Sequence, residues 1–213
     1  MKESGVTDWM EGCAGALTGP GWFEDPAWLA PEAWRLVYAE LEAARANGEF
    51  RAAGIGHGLA FNIRPEIRGD QVRWIDPGAA GPATRAVIDA LDQLRGELNR
   101  RLFLGLADLE LQYAVYPVGA RYSRHVDRFR DSNDRVVSVV LYLNEVWTRA
   151  DGGQLRLHVP ASEGGEAAVD LLPSGGRLVC FLSDAVAHEV LPTRKERCSV
   201  VGWFRRAPRY APR

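Results

Sequence analysis

Three positions in the sequence carry side chains that could bind a metal ion together. His125 and Asp127 are two residues apart, and in an extended segment this spacing places both side chains on one face. A second histidine, His188, lies far downstream. Two imidazoles and one carboxylate can bind a divalent iron on one side and leave its other side open. A histidine and an aspartate at this spacing are common by chance, so the assignment needs support from the residues beyond His188.

Arg197 supports the assignment, because it lies nine residues after His188 with a turn between them at 191–193. The turn reverses the direction of the chain and so brings Arg197 near His188. Strand alternation then gives one face to Arg197, Ser199, Val201 and Trp203. An arginine on the inner face of an apolar strand is costly unless an anion meets it, and its guanidinium matches a carboxylate bidentately. That anion is either a structural Asp or Glu or an acidic co-substrate, and the iron site favours the co-substrate.

The coordination of iron(II) indicates which co-substrate fits. Three protein ligands leave half of an octahedral shell open. 2-Oxoglutarate can add its 1-carboxylate and 2-keto oxygens, reach Arg197 with its far carboxylate, and leave a position for dioxygen. This set predicts oxidative decarboxylation to succinate and carbon dioxide, coupled to hydroxylation of a substrate C–H bond. The Asp127 carboxylate occupies the place that a halide would need, which disfavours halogenation.

The remaining sequence is that of one globular domain. The chain has 213 residues, of which 46% are hydrophobic and 25% are charged, and it can therefore bury a proper core. A formal net charge of −2 gives no basic excess of the kind that nucleic-acid binders carry. No apolar run is long enough to cross a bilayer, and no signal-peptide core is visible. From the charge and the lack of a long apolar run, we expect neither nucleic acid nor membrane as a partner. Three scattered cysteines favour a reducing cytoplasm as the location.

The N-terminal half predicts two helices. Residues 1–20 are polar and Gly-rich with no clear period, and the aromatic side chains at 21–31 are expected to pack against the domain. One helix is expected to begin at Pro31 and end at Asn47-Gly48, and a second, with an apolar stripe, to span 82–104. Between them, 52–70 is expected to form two short strands and a mobile loop, and a strand is expected next at 71–76.

From residue 108 the hydrophobic period changes to two, which predicts short strands. They are expected at 109–116, 135–144, 153–159, 167–172, 177–182, 189–192 and 198–205. Close spacing of short strands indicates an antiparallel sandwich or barrel, with the two helices covering a sheet. The fold class is therefore mainly β with flanking helices. We expect a single domain over 1–213, with helices and loop at about 21–105, a β core at about 106–206 and a basic tail at 207–213.

An ordered series of motifs runs from about the first helix to Phe204. It comprises Ile67-Arg-Gly-Asp70 with Trp74-Ile75, Tyr116-Pro117, Tyr122-x-x-His125-x-Asp127, Leu141-Tyr-Leu-Asn144, Gly152-Gly-x-Leu155-Arg156, His188-Glu-Val-x-Pro192, and Arg197 to Trp203. This series resembles the prolyl hydroxylases of the 2-oxoglutarate/Fe(II) oxygenase superfamily, in particular the hypoxia-inducible-factor type and its bacterial relatives. The resemblance implies a double-stranded β-helix, or jelly roll, supported by N-terminal helices.

The resemblance also implies a role for each matching residue. The catalytic iron would bind His125, Asp127 and His188. The residues near 2-oxoglutarate would be Arg197, Tyr142, Tyr116 and Trp203. The pocket for the reacting proline would be lined by Tyr122, Leu155, Trp203 and Arg124. Core packing is the ordinary alternative for the aromatic members of these sets.

The implied reactants are Fe(II), 2-oxoglutarate and O2, with ascorbate as an optional addition, and a protein that carries the reacting proline. Bacterial relatives suggest elongation factor Tu as that protein. This sequence departs from the pattern at Val201, where a threonine is expected, and by one residue fewer between Tyr116 and His125. Two alternatives stay open: a 2-oxoglutarate oxygenase acting on a free amino acid or small metabolite, and a jelly-roll metal-binding or sensing module without turnover.

Overall fold

A computed structural model describes residues 3–54, 62–127, 134–161 and 164–207, and side chains from residue 9 onward. The helices are α1 (Glu3–Thr18), α2 (Pro31–Ala46) and α3 (Pro82–Leu102). The strands are β1 (Trp22–Asp25), β2 (Arg51–Ala52), β3 (Gln71–Trp74), β4 (Leu106–Tyr116), β5 (Tyr122–His125), β6 (Arg135–Tyr142), β7 (Leu155–Pro160), β8 (Glu166–Leu171), β9 (Leu178–Leu182), β10 (Ala187–Val190) and β11 (Arg197–Arg206).

The strands form two antiparallel sheets. The larger sheet has the order β1-β9-β6-β11-β4-β3-β2, and the smaller has the order β5-β10-β7-β8. Consecutive strands from β4 to β11 alternate between the two sheets, except that β7 and β8 pair with each other in the small sheet, in the manner of a jelly roll. The expected fold class, mainly β with flanking helices, is confirmed.

Alternating side chains of the large sheet belong to two separate cores. On β11, Cys198 and Val200 pack with helix residues such as Leu41 and Leu94. The opposite face of the large sheet packs against the small sheet, and its buried members include Ala114, Val140, Tyr142, Val179 and Phe181. The helices therefore cover one face of the large sheet and leave the other face to the site between the sheets.

The N-terminus differs from its expected lack of structure. Helix α1 covers 3–18, and its buried residues are Met10, Cys13, Ala14 and Leu17. These positions have helical spacing, but the stripe is short and half of it consists of small side chains, which hides the period. The aromatic segment after it also forms a strand, because Phe23 pairs with Cys180 of β9.

The expected helices at 31–46 and 82–104 are present, the latter ending at Leu102. Of the two short strands expected at 52–70, the described residues show only β2, which ends at Ala52. Residues 55–61, including His57, lie outside the described residues, as do tail residues 208–213. None of the described helices has the length and apolar character needed to cross a bilayer. The assignment of all residues to one domain stays a prediction.

Candidate active site

A cavity of about 890 Å³ lies between the sheets. Its lining includes the three expected metal ligands together with Arg197, Tyr116, Tyr122, Leu155 and Trp203. Strand β6 runs along it: Val140 lines the cavity and shares its strand face with Ser138 and Tyr142, while the residues between them face the helices. Since Ser138 and Tyr142 are four residues apart, they mark two ends separated by roughly 13 Å.

The first end holds the two histidines and the aspartate. His125 on β5 and His188 on β10 are directly paired between neighbouring strands, and their ring centroids are 4.2 Å apart. Asp127 comes just after β5, with its Oδ1 3.5 Å from Nε2 of His125 and its Oδ2 3.6 Å from Nε2 of His188. One ligand atom from each residue lies within 4.8 Å of the others, which is compact enough for a single metal ion.

The protonation of these groups suits a metal. Nδ1 of His125 lies 2.8 Å from the carbonyl oxygen of Ser123, and Nδ1 of His188 lies 3.1 Å from that of Val186. A carbonyl can only accept, so each Nδ1 carries the proton and each Nε2 keeps its lone pair for a ligand. Burial lowers the pKa of His188 to about 4, which keeps the imidazole neutral near neutral pH.

The carboxylate is ionised at the same pH. Burial on its own would raise the pKa of Asp127, but its interactions with His188, His125 and Ser138 hold that pKa below its ordinary value. The Asp127 side chain is 9% exposed. Two imidazoles whose Nδ1 atoms are engaged by carbonyls and one buried carboxylate therefore fit a divalent metal of the iron(II) type.

The second end is built around Arg197, which is 2% exposed. Its guanidinium carbon lies 4.9 Å from the ring centre of Tyr116 and 5.0 Å from that of Tyr142. Its Nε donates to the Gly153 carbonyl oxygen at 3.0 Å. No carboxylate within the described ranges forms an ion pair with Arg197, so the anion that this buried charge calls for is not a structural Asp or Glu among them.

Two further polar groups at this end lack partners. The Tyr142 hydroxyl and the Ser199 hydroxyl are both buried without a hydrogen bond to any described residue. Ser199 pairs directly with Tyr142 across β11 and β6, and alternation puts it on the same face as Arg197. A buried guanidinium beside two unsatisfied hydroxyls is a suitable receptor for a carboxylate, such as the far carboxylate of 2-oxoglutarate.

A pair of glycines shapes the support of Arg197. Gly152 and Gly153 have φ values of 69° and 66°, a region that favours glycine. A Cβ on Gly152 would lie 2.2 Å from the Pro192 carbonyl oxygen. The close approach of these backbones lets the carbonyl of Gly153 reach Nε of Arg197.

Comparison with known proteins places the chain in a family. Residues 111–205 match the family described as the 2OG-Fe(II) oxygenase superfamily. A Pseudomonas putida prolyl-4-hydroxylase structure shares 44% identity, covering 93% of this chain and 99% of that chain, with a TM-score of 0.82. This chain belongs to the prolyl hydroxylases of the 2-oxoglutarate/Fe(II) oxygenase superfamily. Its cofactors are Fe(II) and 2-oxoglutarate, with O2 as the oxidant.

Other structures agree on the fold of this oxygenase. A Trichoplax adhaerens prolyl hydroxylase in complex with a hypoxia-inducible-factor peptide fragment shares 25% identity over 95% of this chain and 91% of that chain, with a TM-score of 0.85. A viral collagen prolyl hydroxylase from Paramecium bursaria Chlorella virus-1 shares 18% identity over 91% of this chain and all of that chain, with a TM-score of 0.60.

One wall of the oxygenase cavity supports the metal ligands through stacking. The Tyr122 ring stacks on His125 with centroids 3.6 Å apart and planes 19° apart. On its other side, the Arg68 guanidinium lies 4.8 Å from the Tyr122 ring centre. Arg68 in turn makes a bidentate pair with the buried Asp70 at 2.8 and 3.0 Å. The chain of contacts from Asp70 to His125 restricts the ring of Tyr122.

Trp203 lies nearer to the metal end than to Arg197. It pairs directly with Ser138, the residue that donates to Asp127, and it is six residues beyond Arg197, or roughly 20 Å along β11. Its ring centroid lies 6.1 Å from that of Trp74, with the two planes tilted by 45°, and the Arg135 guanidinium lies 3.5 Å from its ring centre. This position suits contact with substrate better than contact with the far carboxylate of 2-oxoglutarate.

Arg124 is the expected site residue that the structure places elsewhere. Its side chain is half exposed and donates to Glu166 of the small sheet at 2.5 Å, and it does not line the cavity among the described residues. The cause is strand alternation, since a residue directly before His125 points to the opposite face. Arg124 is therefore no longer a candidate for the proline pocket.

Sequence reasoning did not identify several residues of the site. Ser199 shares its strand face with Arg197, so alternation could have indicated it. Arg68 and Asp70 appear in a quoted motif, but nothing in the sequence shows that they form an ion pair. Ser138 sits in an apolar strand, and its contact with Asp127 depends on a tertiary arrangement that local spacing does not reveal.

Proposed function

We propose that this oxygenase is a prolyl 4-hydroxylase that acts on a proline residue within a protein. The observation that carries the proposal is the 44% identity to a bacterial prolyl-4-hydroxylase over nearly the whole of both chains. At this similarity a shared reaction is a sound starting hypothesis, which the site residues then have to support.

The proposed division of roles rests on the geometry of the cavity. His125, Asp127 and His188 would hold the metal, and Arg197 with Tyr142 would hold the far carboxylate of the co-substrate. Bound Fe(II) and 2-oxoglutarate supply, with O2, the oxidising power to hydroxylate a C–H bond, and succinate and carbon dioxide are released. The remaining space is walled by the aromatic rings of Tyr122, Trp74 and Trp203, which suit the apolar ring of a proline.

The volume of the cavity favours a protein substrate over a free amino acid. Its volume of about 890 Å³ is at the upper end of small-molecule pockets. The Trichoplax relative binds a peptide fragment, which supports a peptide as the substrate class here. Elongation factor Tu is our candidate for the protein, and the cytoplasm is the proposed location.

The test is the mass of peptides incubated with the enzyme, Fe(II), 2-oxoglutarate and O2. A proline-containing peptide of elongation factor Tu is expected to gain the mass of one oxygen atom on proline, with equimolar succinate. The matched controls are the same peptide with that proline replaced by alanine, and the His188→Ala enzyme. Oxidation of free proline or a small metabolite, with all protein substrates unchanged, would replace the proposal with the small-molecule alternative. If succinate forms but neither a protein nor a small molecule is oxidised, the proposal of a prolyl 4-hydroxylase loses its support.

A further inference from the structure

Asp127 is held differently from the two histidines. His125 and His188 sit in paired strands, and their Nδ1 atoms bind carbonyls two residues earlier in the same strand or its approach. Asp127 lies just beyond β5 and is outside any strand. It is fixed from a distance, by Ser138 of β6 and by Ser183, the residue directly after β9.

Ser138 and Ser183 form a short hydrogen-bond chain that ends on the carboxylate. The Ser138 hydroxyl lies 2.6 Å from Oδ2 of Asp127, and the Ser183 hydroxyl lies 2.9 Å from that of Ser138. Both serines are fully buried. The backbone N–H of Asp127 also donates to the Ser183 carbonyl oxygen at 2.9 Å, so Ser183 holds both the backbone and, through Ser138, the side chain.

The direction of this chain is set by the charge of its last member. An ionised carboxylate can only accept, so Ser138 must donate to Asp127. The oxygen of Ser138 is then left to accept from the hydroxyl of Ser183. Successive hydrogen bonds of one direction polarise and strengthen one another in a buried site.

We infer that Ser138 and Ser183 act as a positioning pair that determines which oxygen of Asp127 binds the metal. With Oδ2 engaged by Ser138, Oδ1 would be the oxygen left to hold a metal. A carboxylate held in this way would bind through one atom, and it would leave one more metal position open than a carboxylate that binds through both oxygens. The inference concerns the metal centre, so it depends on the chain being an oxygenase and not on the identity of the substrate.

The measurement is cobalt(II) binding by calorimetry and by visible absorption, without 2-oxoglutarate or substrate. Ser138→Ala is expected to weaken Co(II) binding by about 10- to 100-fold, the usual effect of removing a hydrogen bond to a metal ligand. The intensity of the Co(II) absorption band is expected to change, because a freed Oδ2 can join the coordination. Ser138→Thr, which keeps the hydroxyl, is expected to restore both the affinity and the band.

The melting temperature of each metal-free variant separates positioning from folding. A variant could have a lower melting temperature and yet bind Co(II) with wild-type affinity and spectrum. That result would show that the serines only stabilise the fold, and it would overturn the inference. If Ser138→Ala does not fold, Ser183→Ala provides the same test, because it removes only the outer hydroxyl and keeps the backbone contact. A several-fold loss of affinity is expected for Ser183→Ala, and unchanged binding would again overturn the inference.

Discussion

The groups expected to hold the metal and those expected to hold the co-substrate differ in how completely the protein satisfies them. Both imidazole Nδ1 atoms and Oδ2 of Asp127 have protein partners, although the indole N–H of Trp203 at the same end has none among the described residues. At the other end, the hydroxyls of Tyr142 and Ser199 have none among the described residues. The Arg197 guanidinium donates from its Nε to the Gly153 carbonyl oxygen.

The difference indicates which of the two ends needs a ligand to complete its hydrogen bonds. An unsatisfied buried polar group costs about 1–3 kcal/mol, so a cluster of such groups is retained only where a ligand completes it. The metal end is pre-organised by protein groups that orient the ligand atoms. We propose that the co-substrate itself completes the end at Arg197, and we therefore expect the melting temperature of the protein to respond strongly to this ligand.

The largest expected effect comes from removing a metal ligand. His188→Ala or His125→Ala is expected to abolish metal binding and turnover, because two remaining protein ligands cannot hold the ion in place. The measurement is Fe(II) or Mn(II) titration of the purified variants. His158→Ala is the control: this histidine binds Glu166 and Glu189 at the small sheet and does not line the cavity. Equal loss of metal in the control would remove the distinction between these histidines.

The next effect comes from Arg197 at the other end. Arg197→Ala is expected to raise the 2-oxoglutarate requirement by roughly 10- to 100-fold, since hydrogen bonds to charged groups contribute about 1.5–3 kcal/mol. Metal affinity without co-substrate should stay unchanged. The control is Arg206→Ala on the same strand, whose Nε donates to the Leu104 carbonyl at the surface. An unchanged co-substrate requirement for Arg197→Ala would contradict its assignment.

The smallest effect separates two tyrosines on opposite faces of the large sheet. Tyr142→Phe removes a hydroxyl without a partner among the described residues, so the unliganded protein should keep its melting temperature while 2-oxoglutarate binds several-fold more weakly, a loss of about 1 kcal/mol. Tyr113→Phe removes a hydroxyl that bonds Thr84 at 2.5 Å beneath the helices, so it should lower the melting temperature and leave co-substrate binding intact. If both variants change in the same way in melting temperature and in 2-oxoglutarate binding, the result would argue against completion of the Arg197 end by the co-substrate.

The sequence predicted those features that depend on local spacing. Strand alternation on β11 correctly separated the face of Arg197 from that of Cys198. The two histidines and Asp127, far apart in the chain, were recognisable by residue type and are brought together by the structure. Helix α1 was missed because its apolar stripe is short and made largely of small residues.

Other features depend on how strands are arranged, and spacing does not encode that arrangement. Ser138 is an ordinary serine within an apolar strand, and its meeting with Asp127 results from the pairing of β6 with β9 and β11. The placement of Trp203 at the metal end likewise results from its pairing with Ser138. Arg124, in contrast, directly precedes His125 and was predicted to line the proline pocket, but its side chain pairs with Glu166 outside the cavity.

The most direct test of the difference between the two ends compares two ligands with the same chelating group. 2-Oxoglutarate and pyruvate both carry a 2-oxo acid, but only 2-oxoglutarate has a second carboxylate for Arg197. With Mn(II)-loaded protein, we expect 2-oxoglutarate to raise the melting temperature markedly and pyruvate to raise it little, and we expect Arg197→Ala to remove that difference. An equal rise with both ligands in the wild-type protein would contradict the account.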